Sequence, residues 1–192
     1  AEGNKFGKSV DGALFLDAKK FSPYKLYQYF YNVGDADAEK YLKVFTFLSK
    51  EEIEAITSEH KEAPHRRLAQ TRLAEEIVTI VHSKEALLHA QNMSTALFSG
   101  NVKDLSAEDI EDLFAHALVG LDSDQKLEDV LITLKAATSK REAREFIRGN
   151  SISVNGERLT DPELIITKDY LLHDKYLIIR RGKKNYFVAE VK

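Results

Sequence analysis

The sequence predicts an α+β protein: an all-helical body followed by a small domain of two helices and a twisted sheet. Three observations carry this. Residues 35–100 repeat apolar positions at helical spacing, with no run that alternates. The last third contains Asn155-Gly156, the strongest short hairpin signal in the chain, and two strand-like runs, Tyr176–Arg181 and Asn185–Val191. Between the two parts, residues 101–126 are acidic and locally rich in Asp and Ser, a composition that reads as a connection.

Taken in order, residues 12–17 (GALFLD) are short, apolar and acid-tipped, as at the edge of a domain. Ser22-Pro23 starts a helix, because the hydroxyl caps it and proline at the first position forfeits no hydrogen bond. That helix carries Tyr24, Tyr27, Tyr29, Phe30 and Tyr31, and an aromatic surface on more than one face is expected between layers or domains. Asn32 and Gly34 end it. Asp35 or Asp37 is expected to cap the next helix, running through Phe47, and Ser49 with Glu52 forms a capping box for another. Pro64 is expected to open a longer helix on which Leu68, Leu73, Ile77, Ile80 and Val81 share a face. After Ser83 the pattern resumes through Ala86, Leu87, Ala90, Ala96, Leu97 and Phe98, and stops at Gly100. Within 101–126 only Ser106 suggests a short helix, and the remainder reads as linker. Leu127, Val130, Leu131 and Leu134 mark a short helix. Ser139 and Glu142 suggest a second capping box, for a helix ending at Gly149. Ile152 and Val154 alternate before the hairpin, and Gly182-Lys183-Lys184 joins the last two strands.

Composition excludes several functions. No run approaches about 18 consecutive apolar residues, and no apolar leader opens the chain, so a cytoplasmic protein without a membrane partner is expected. The absence of cysteine removes disulfides, thiolate catalysis and Cys-ligated zinc. The six histidines follow no metal-binding spacing, and no Ser/His/Asp arrangement is arguable, so a catalytic centre confined to these residues is not expected. Charge is unevenly spread. Residues 1–126 hold 15 Lys and Arg against 21 Asp and Glu, and residues 127–192 hold 13 against 10, which points a polyanion-binding end to the C-terminal third.

There the helix after Ser139 has two faces. Ala143, Phe146 and Ile147 recur as a buried stripe, while Lys140, Arg144 and Arg148 recur every four residues with Arg141 beside them. Such charges usually form a solvated face. Here arginines dominate, and their planar forks suit phosphate. A second cluster, Arg180, Arg181, Lys183 and Lys184, falls at a hairpin tip, where Asn185 and Tyr186 offer a hydrogen-bonding group and a stacking ring. RNA binding is the expectation. Arg66, Arg67, Gln70 and Arg72 are weaker candidates, since surface solubility explains them equally well.

Lys5-Phe6-Gly7-Lys8-Ser9 invites a phosphate-loop reading, which fails: position 2 is Glu rather than the second glycine, and no strand precedes the loop. It resembles instead the KMSKS signature of class I aminoacyl-tRNA synthetases, in the KFGKS form of the tyrosine enzymes. Ser22–Phe30, Tyr41–Leu48, Ser139–Gly149, Val154–Glu157 and Arg180–Tyr186 resemble, in order and spacing, the segments that follow the signature in bacterial tyrosyl-tRNA synthetases. The resemblance spans essentially the whole chain. It implies the C-terminal part of a tyrosine–tRNA ligase whose nucleotide-binding domain lies outside these residues, with residues 1–32 as the tail of that catalytic domain. Residues 33–100 would then be a helical anticodon-binding-type domain, 101–126 an acidic linker, and 127–192 an RNA-binding domain of the kind named after a small-subunit ribosomal protein. It further implies that Lys5 and Lys8 contact the phosphates of ATP, supplied with Mg2+, as tyrosyl-adenylate forms, and that Ser9 fills the hydroxyl position. Tyrosine and its tRNA are the implied partners, and the catalytic domain the implied homodimer contact, so no ATP is expected on this stretch alone. The competing readings are a free-standing RNA-binding protein and a structural helical adaptor.

Overall fold

The computed structural model describes residues 14–114, 117–122, 124–183 and 185–191. The chain divides into two units, residues 1–92 and 93–192. It is α+β, as expected.

The first unit is built around α4. Helix α1 (Pro23–Tyr31) begins at Ser22, whose Oγ accepts the Lys25 N–H at 3.3 Å, and it buries Leu26, Tyr27 and Phe30. Helix α2 (Asp35–Phe45) is capped by Gly34, not by Asp35 or Asp37. Asp35 is used otherwise: its carboxylate accepts from Gln70 Nε2 at 2.6 Å and meets His60 Nε2 at 3.1 Å. The helix stops two residues short of Phe47, because Thr46 turns extended and donates its hydroxyl to Leu42 O at 2.6 Å. Helix α3 (Lys50–Glu62) carries the full capping box, Ser49 N–H to Glu52 Oε2 at 2.7 Å and Glu52 N–H to Ser49 Oγ at 3.2 Å. Pro64 opens only a single 3-10 turn, and α4 (Leu68–Val81) follows after Arg67, whose φ is +54°. Leu73, Ala74 and Val78 of α4 are fully buried with Leu26 and Leu42 in one apolar cluster. Helix α5 (Lys84–Ser99), in which the division between units falls, ends at Gly100 with φ +85°.

The second unit corrects the linker expectation. Residues 101–126 hold a 3-10 turn at Val102–Asp104, α6 (Ala107–Phe114), β1 (Leu118–Leu121) and β2 (Gln125–Lys126), and Val102, Leu105, Ile110 and Leu121 are buried. Then come α7 (Leu127–Thr133), α8 (Lys140–Arg148), β3 (Ile152–Val154), β4 (Glu157–Arg158), β5 (Ile165–Ile166), β6 (Tyr176–Arg181) and β7 (Asn185–Val191). A five-stranded sheet runs β1-β7-β6-β3-β4, parallel only between β1 and β7, and β2 pairs with β5 separately. Asn155 and Gly156, at φ +49° and +86°, make the two-residue turn between β3 and β4.

Both faces of this sheet are covered. Leu177, Ile179, Ala189, Ile152 and Val154 point into a core shared with Val130, Leu131, Ala143 and Ile147 of α7 and α8. Successive strand residues point to opposite faces, so Tyr176, Ile178 and Val188 lie on the other side, and they too are buried. Residues 97–114 meet that side: Tyr186 Oη donates to Leu97 O, Tyr176 Oη to Glu111 at 2.5 Å, His173 Nε2 contacts Leu105 O at 2.8 Å, and the Phe114 and Tyr186 rings lie 6.1 Å apart. The acidic segment folds because its few apolar residues have a sheet face to cover.

Candidate nucleic-acid interface

Helix α8 starts where its sequence says. Ser139 Oγ accepts the Glu142 N–H at 3.3 Å. The reciprocal half of the expected capping box is replaced, since Glu142 accepts from the Thr138 N–H and hydroxyl, both at 2.6 Å. Ala143 and Ile147 are buried, which turns Lys140, Arg141, Arg144 and Arg148 outward.

These four cations are not equivalent. Arg144 gives Nε and Nη2 to the two oxygens of Glu128 at 2.5 and 3.1 Å. Lys140 Nζ lies 2.7 Å from Asp129 and 3.6 Å from Glu128. The Arg144 hydrogen bonds hold the Glu128 carboxyl below the ordinary carboxylate range, and the Asp129 hydrogen bond raises Lys140. Arg141 pairs with Glu145 one turn on, at 3.1 Å. Arg148 is exposed and has no ion pair among the described residues.

The second cluster is split by strand geometry. Arg180 and Arg181 are consecutive on β6 and so leave the sheet on opposite faces. Arg181 is half-buried: Nη1 donates to Ala136 O at 2.5 Å, and the guanidinium lies 5.2 and 5.5 Å from the ring centres of Phe146 and Phe187. Arg180 lies under Gly100, so close that a Cβ there would collide with the guanidinium, and its Nε is buried without a partner. Neither arginine stands free at the tip. Tyr186, whose ring was expected to stack on RNA, is committed through its hydroxyl to Leu97. Lys183 and Asn185 are exposed at the β6–β7 turn, and Lys183 has no ion pair among the described residues. Lys184 lies outside the described residues, as do Lys5, Lys8 and Ser9 of the opening loop.

The two clusters nonetheless meet. Arg181 bridges Phe146 of α8 to β7, and the Gly182 N–H donates to Ser151 O at 2.8 Å, setting the β6–β7 turn beside the chain leaving α8. Lys183 therefore lies beside the C-terminal end of α8, where Arg148 stands, whereas Lys140 and Arg144 lean toward Glu128 and Asp129 of α7. Glu128 was missed from the sequence, although a glutamate between Leu127 and Val130 on an apolar helix signals a buried carboxylate with a partner.

In the first unit, Arg67 is structural. Its Nη2 donates to Tyr31 O at 2.7 Å and Val33 O at 3.2 Å, closing the end of α1. Gln70 is fully buried, and Arg72 pairs with Glu75 and Glu76. Only Arg66 of that group is exposed without an ion pair among the described residues. No three carboxylate or imidazole groups among the described residues converge to hold a metal, and no described helix is long and apolar enough to cross a membrane.

Comparison with known proteins covers both units. Residues 1–99 match the family model for class I tRNA synthetases (W and Y), and residues 109–189 match that for the tyrosine–tRNA ligase SYY-like C-terminal domain. Tyrosine–tRNA ligase 1 of Bacillus subtilis is 47% identical over 195 residues, covering 100% of this chain and 46% of that protein. The tyrosine–tRNA ligase of Geobacillus stearothermophilus is 47% identical over 190 residues, covering 98% of this chain and 45% of that protein. A solution structure of a tyrosyl-tRNA synthetase C-terminal domain is 38% identical, covers 50% of this chain and 100% of that one, and superposes with a TM-score of 0.38. The chain spans about half the length of the curated relatives it matches.

Proposed function

The chain belongs to the class I tRNA synthetases of the tryptophan and tyrosine branch, and from that premise we propose that it supplies the tRNA-holding part of a tyrosine–tRNA ligase. In this reading the first unit is the helical anticodon-side domain and the second a ribosomal-protein-type RNA-binding domain. The parent ligase joins tyrosine to its tRNA at the expense of ATP, acts in the cytoplasm, and pairs as a homodimer through a catalytic domain. Lys5 and Lys8 steady the ATP phosphates there, with Ser9 beside them and Mg2+ arriving with the nucleotide. Two ammonium groups on a loop suit a reaction in which charge builds on departing pyrophosphate. The 192 residues alone should therefore catalyse no tyrosine-dependent exchange of pyrophosphate into ATP. In a full-length ligase, Lys8→Ala should slow adenylate formation more than it weakens tyrosine binding; equal losses would remove the role.

The observation that supports the tRNA reading is the Gly182 N–H to Ser151 O hydrogen bond, which sets the β6–β7 turn beside the end of α8 and so gives Lys183 and Arg148 a common edge. On that edge, Arg148 and Lys183 are cations not committed to any carboxylate among the described residues. The test is fluorescence anisotropy with tRNA carrying the tyrosine anticodon, across a salt series. If the edge neutralises about three to four phosphates, log K falls against log salt with a slope of roughly −2 to −4. Arg148→Glu with Lys183→Glu should flatten the slope and weaken binding while circular dichroism stays unchanged. Arg66→Glu in the first unit should matter less. The opposite order would assign the dominant surface to the wrong unit.

A further inference from the structure

We propose that Glu128 is a positioning residue for tRNA binding: its buried carboxylate presets the Arg144 fork, with Lys140 beside it, for phosphate on the outer side of α8. This rests on reading the second unit as a tRNA-binding domain. The Glu128 side chain is 2% exposed, whereas those of Arg144 and Lys140 are 43% and 55% exposed, so the anion sits inside and its two cations reach outward over it. A guanidinium has five N–H groups. The 2.5 and 3.1 Å bonds to Glu128 use one each on Nε and Nη2, which leaves the Nη1 end for a second acceptor.

Attraction by net charge does not explain the arrangement. Glu128 and Asp129 cancel Lys140 and Arg144, so the cluster is neutral as a group. What it offers is geometry. An arginine loose on a helix surface must be ordered when it grips phosphate, and that cost is already met when a buried carboxylate fixes the fork beforehand. A bond that merely ties α7 to α8 would leave tRNA affinity unchanged so long as the chain stays folded.

Two isosteric substitutions separate these roles, because each raises the net charge by the same amount. Glu128→Gln loosens the fork, while Asp129→Asn frees Lys140 and leaves the fork held. The full 192-residue chain is titrated with tRNA carrying the tyrosine anticodon, at a temperature where circular dichroism shows each variant folded. Glu128→Gln should bind about five- to tenfold more weakly despite its added positive charge, and Asp129→Asn should bind as well as the parent or better. Arg144→Lys, which keeps the charge and loses the fork, should weaken binding as Glu128→Gln does, and it decides the matter if Glu128→Gln fails to fold. Glu128→Gln binding as tightly as the parent or more so, equal effects of the two isosteric changes, or an Arg144→Lys variant indistinguishable from the parent would each overturn the proposal. Failure of the unaltered chain to bind tRNA is a different result, and it removes the underlying reading instead.

Discussion

Asn155 joins three parts of the second unit through one side chain. Its Oδ1 accepts the Ile178 N–H at 2.8 Å, its Nδ2 donates to Tyr170 O, and its own N–H donates to Ile178 O at 2.8 Å. It does so at φ +49°, where asparagine is tolerated better than most residues. Asn155→Ala should cost about 2–4 kcal/mol, from an unsatisfied buried amide and a strained backbone, read from denaturant midpoints. Glu128 works by charge instead. Its carboxyl is held below the ordinary range by the Arg144 hydrogen bonds, so its contribution is fully present above the unfolded carboxylate value and lost as pH falls through the lower folded value. The melting temperature should therefore drop on the acid side, below about pH 4, and Glu128→Gln should make that limb shallower. An identical acid limb in both proteins would remove this role.

At the scale of the element, the sequence was legible wherever one residue type decides local geometry. Ser22, Ser49 and Ser139 mark helix starts, Gly100 marks a helix end, and Asn155-Gly156 marks the turn. It was less legible where partners lie far away in the chain. Val102, Leu105 and Ile110 are too few and unevenly spaced to show a period among so many acids, and only the second face of the sheet makes them core. The run Tyr-Leu-Ile-Ile in β6 is the trace of that face, since a strand buried on both sides shows no alternation. The basic residues were half legible for the same reason: helical spacing sets Lys140, Arg144 and Arg148 along one side of α8, whereas adjacency in β6 groups Arg180 with Arg181 against the period of a strand. Ile110→Ala should destabilise the second unit by about 2–5 kcal/mol, as a core truncation does. Limited proteolysis should spare residues 102–114 until that unit unfolds; early cleavage there would restore the linker.

At the scale of the whole molecule, folding redraws the charge map. Counted by unit, residues 1–92 hold 13 Lys and Arg against 14 Asp and Glu, and residues 93–192 hold 15 against 17. The basic C-terminal end expected from residues 127–192 is offset once the acidic segment packs onto its sheet. Neither unit then projects a positive field much beyond the Debye length, about 8 Å at physiological salt. Recognition of an anionic partner must rest on close contacts. Stopped-flow mixing with tRNA should show association slowed only weakly by salt and most of the salt dependence in dissociation. A steep fall in the association rate would mean that a local patch steers after all.

The turn at Asn155 also sets a chemical clock. Asn-Gly is the dipeptide most prone to lose ammonia, because the glycine nitrogen meets little hindrance in attacking the side-chain carbonyl and closing a succinimide. Here that side chain is buried and held through both its oxygen and its nitrogen. The native protein should age slowly at this position, and the unfolded chain quickly. A molecule that has once reacted carries aspartate or isoaspartate, which cannot replace the lost donor to Tyr170. Each unfolding episode thus leaves a fraction of the molecules to refold with a weakened turn, and peptide mass spectrometry of residues 150–158 would show it as a gain of about one dalton.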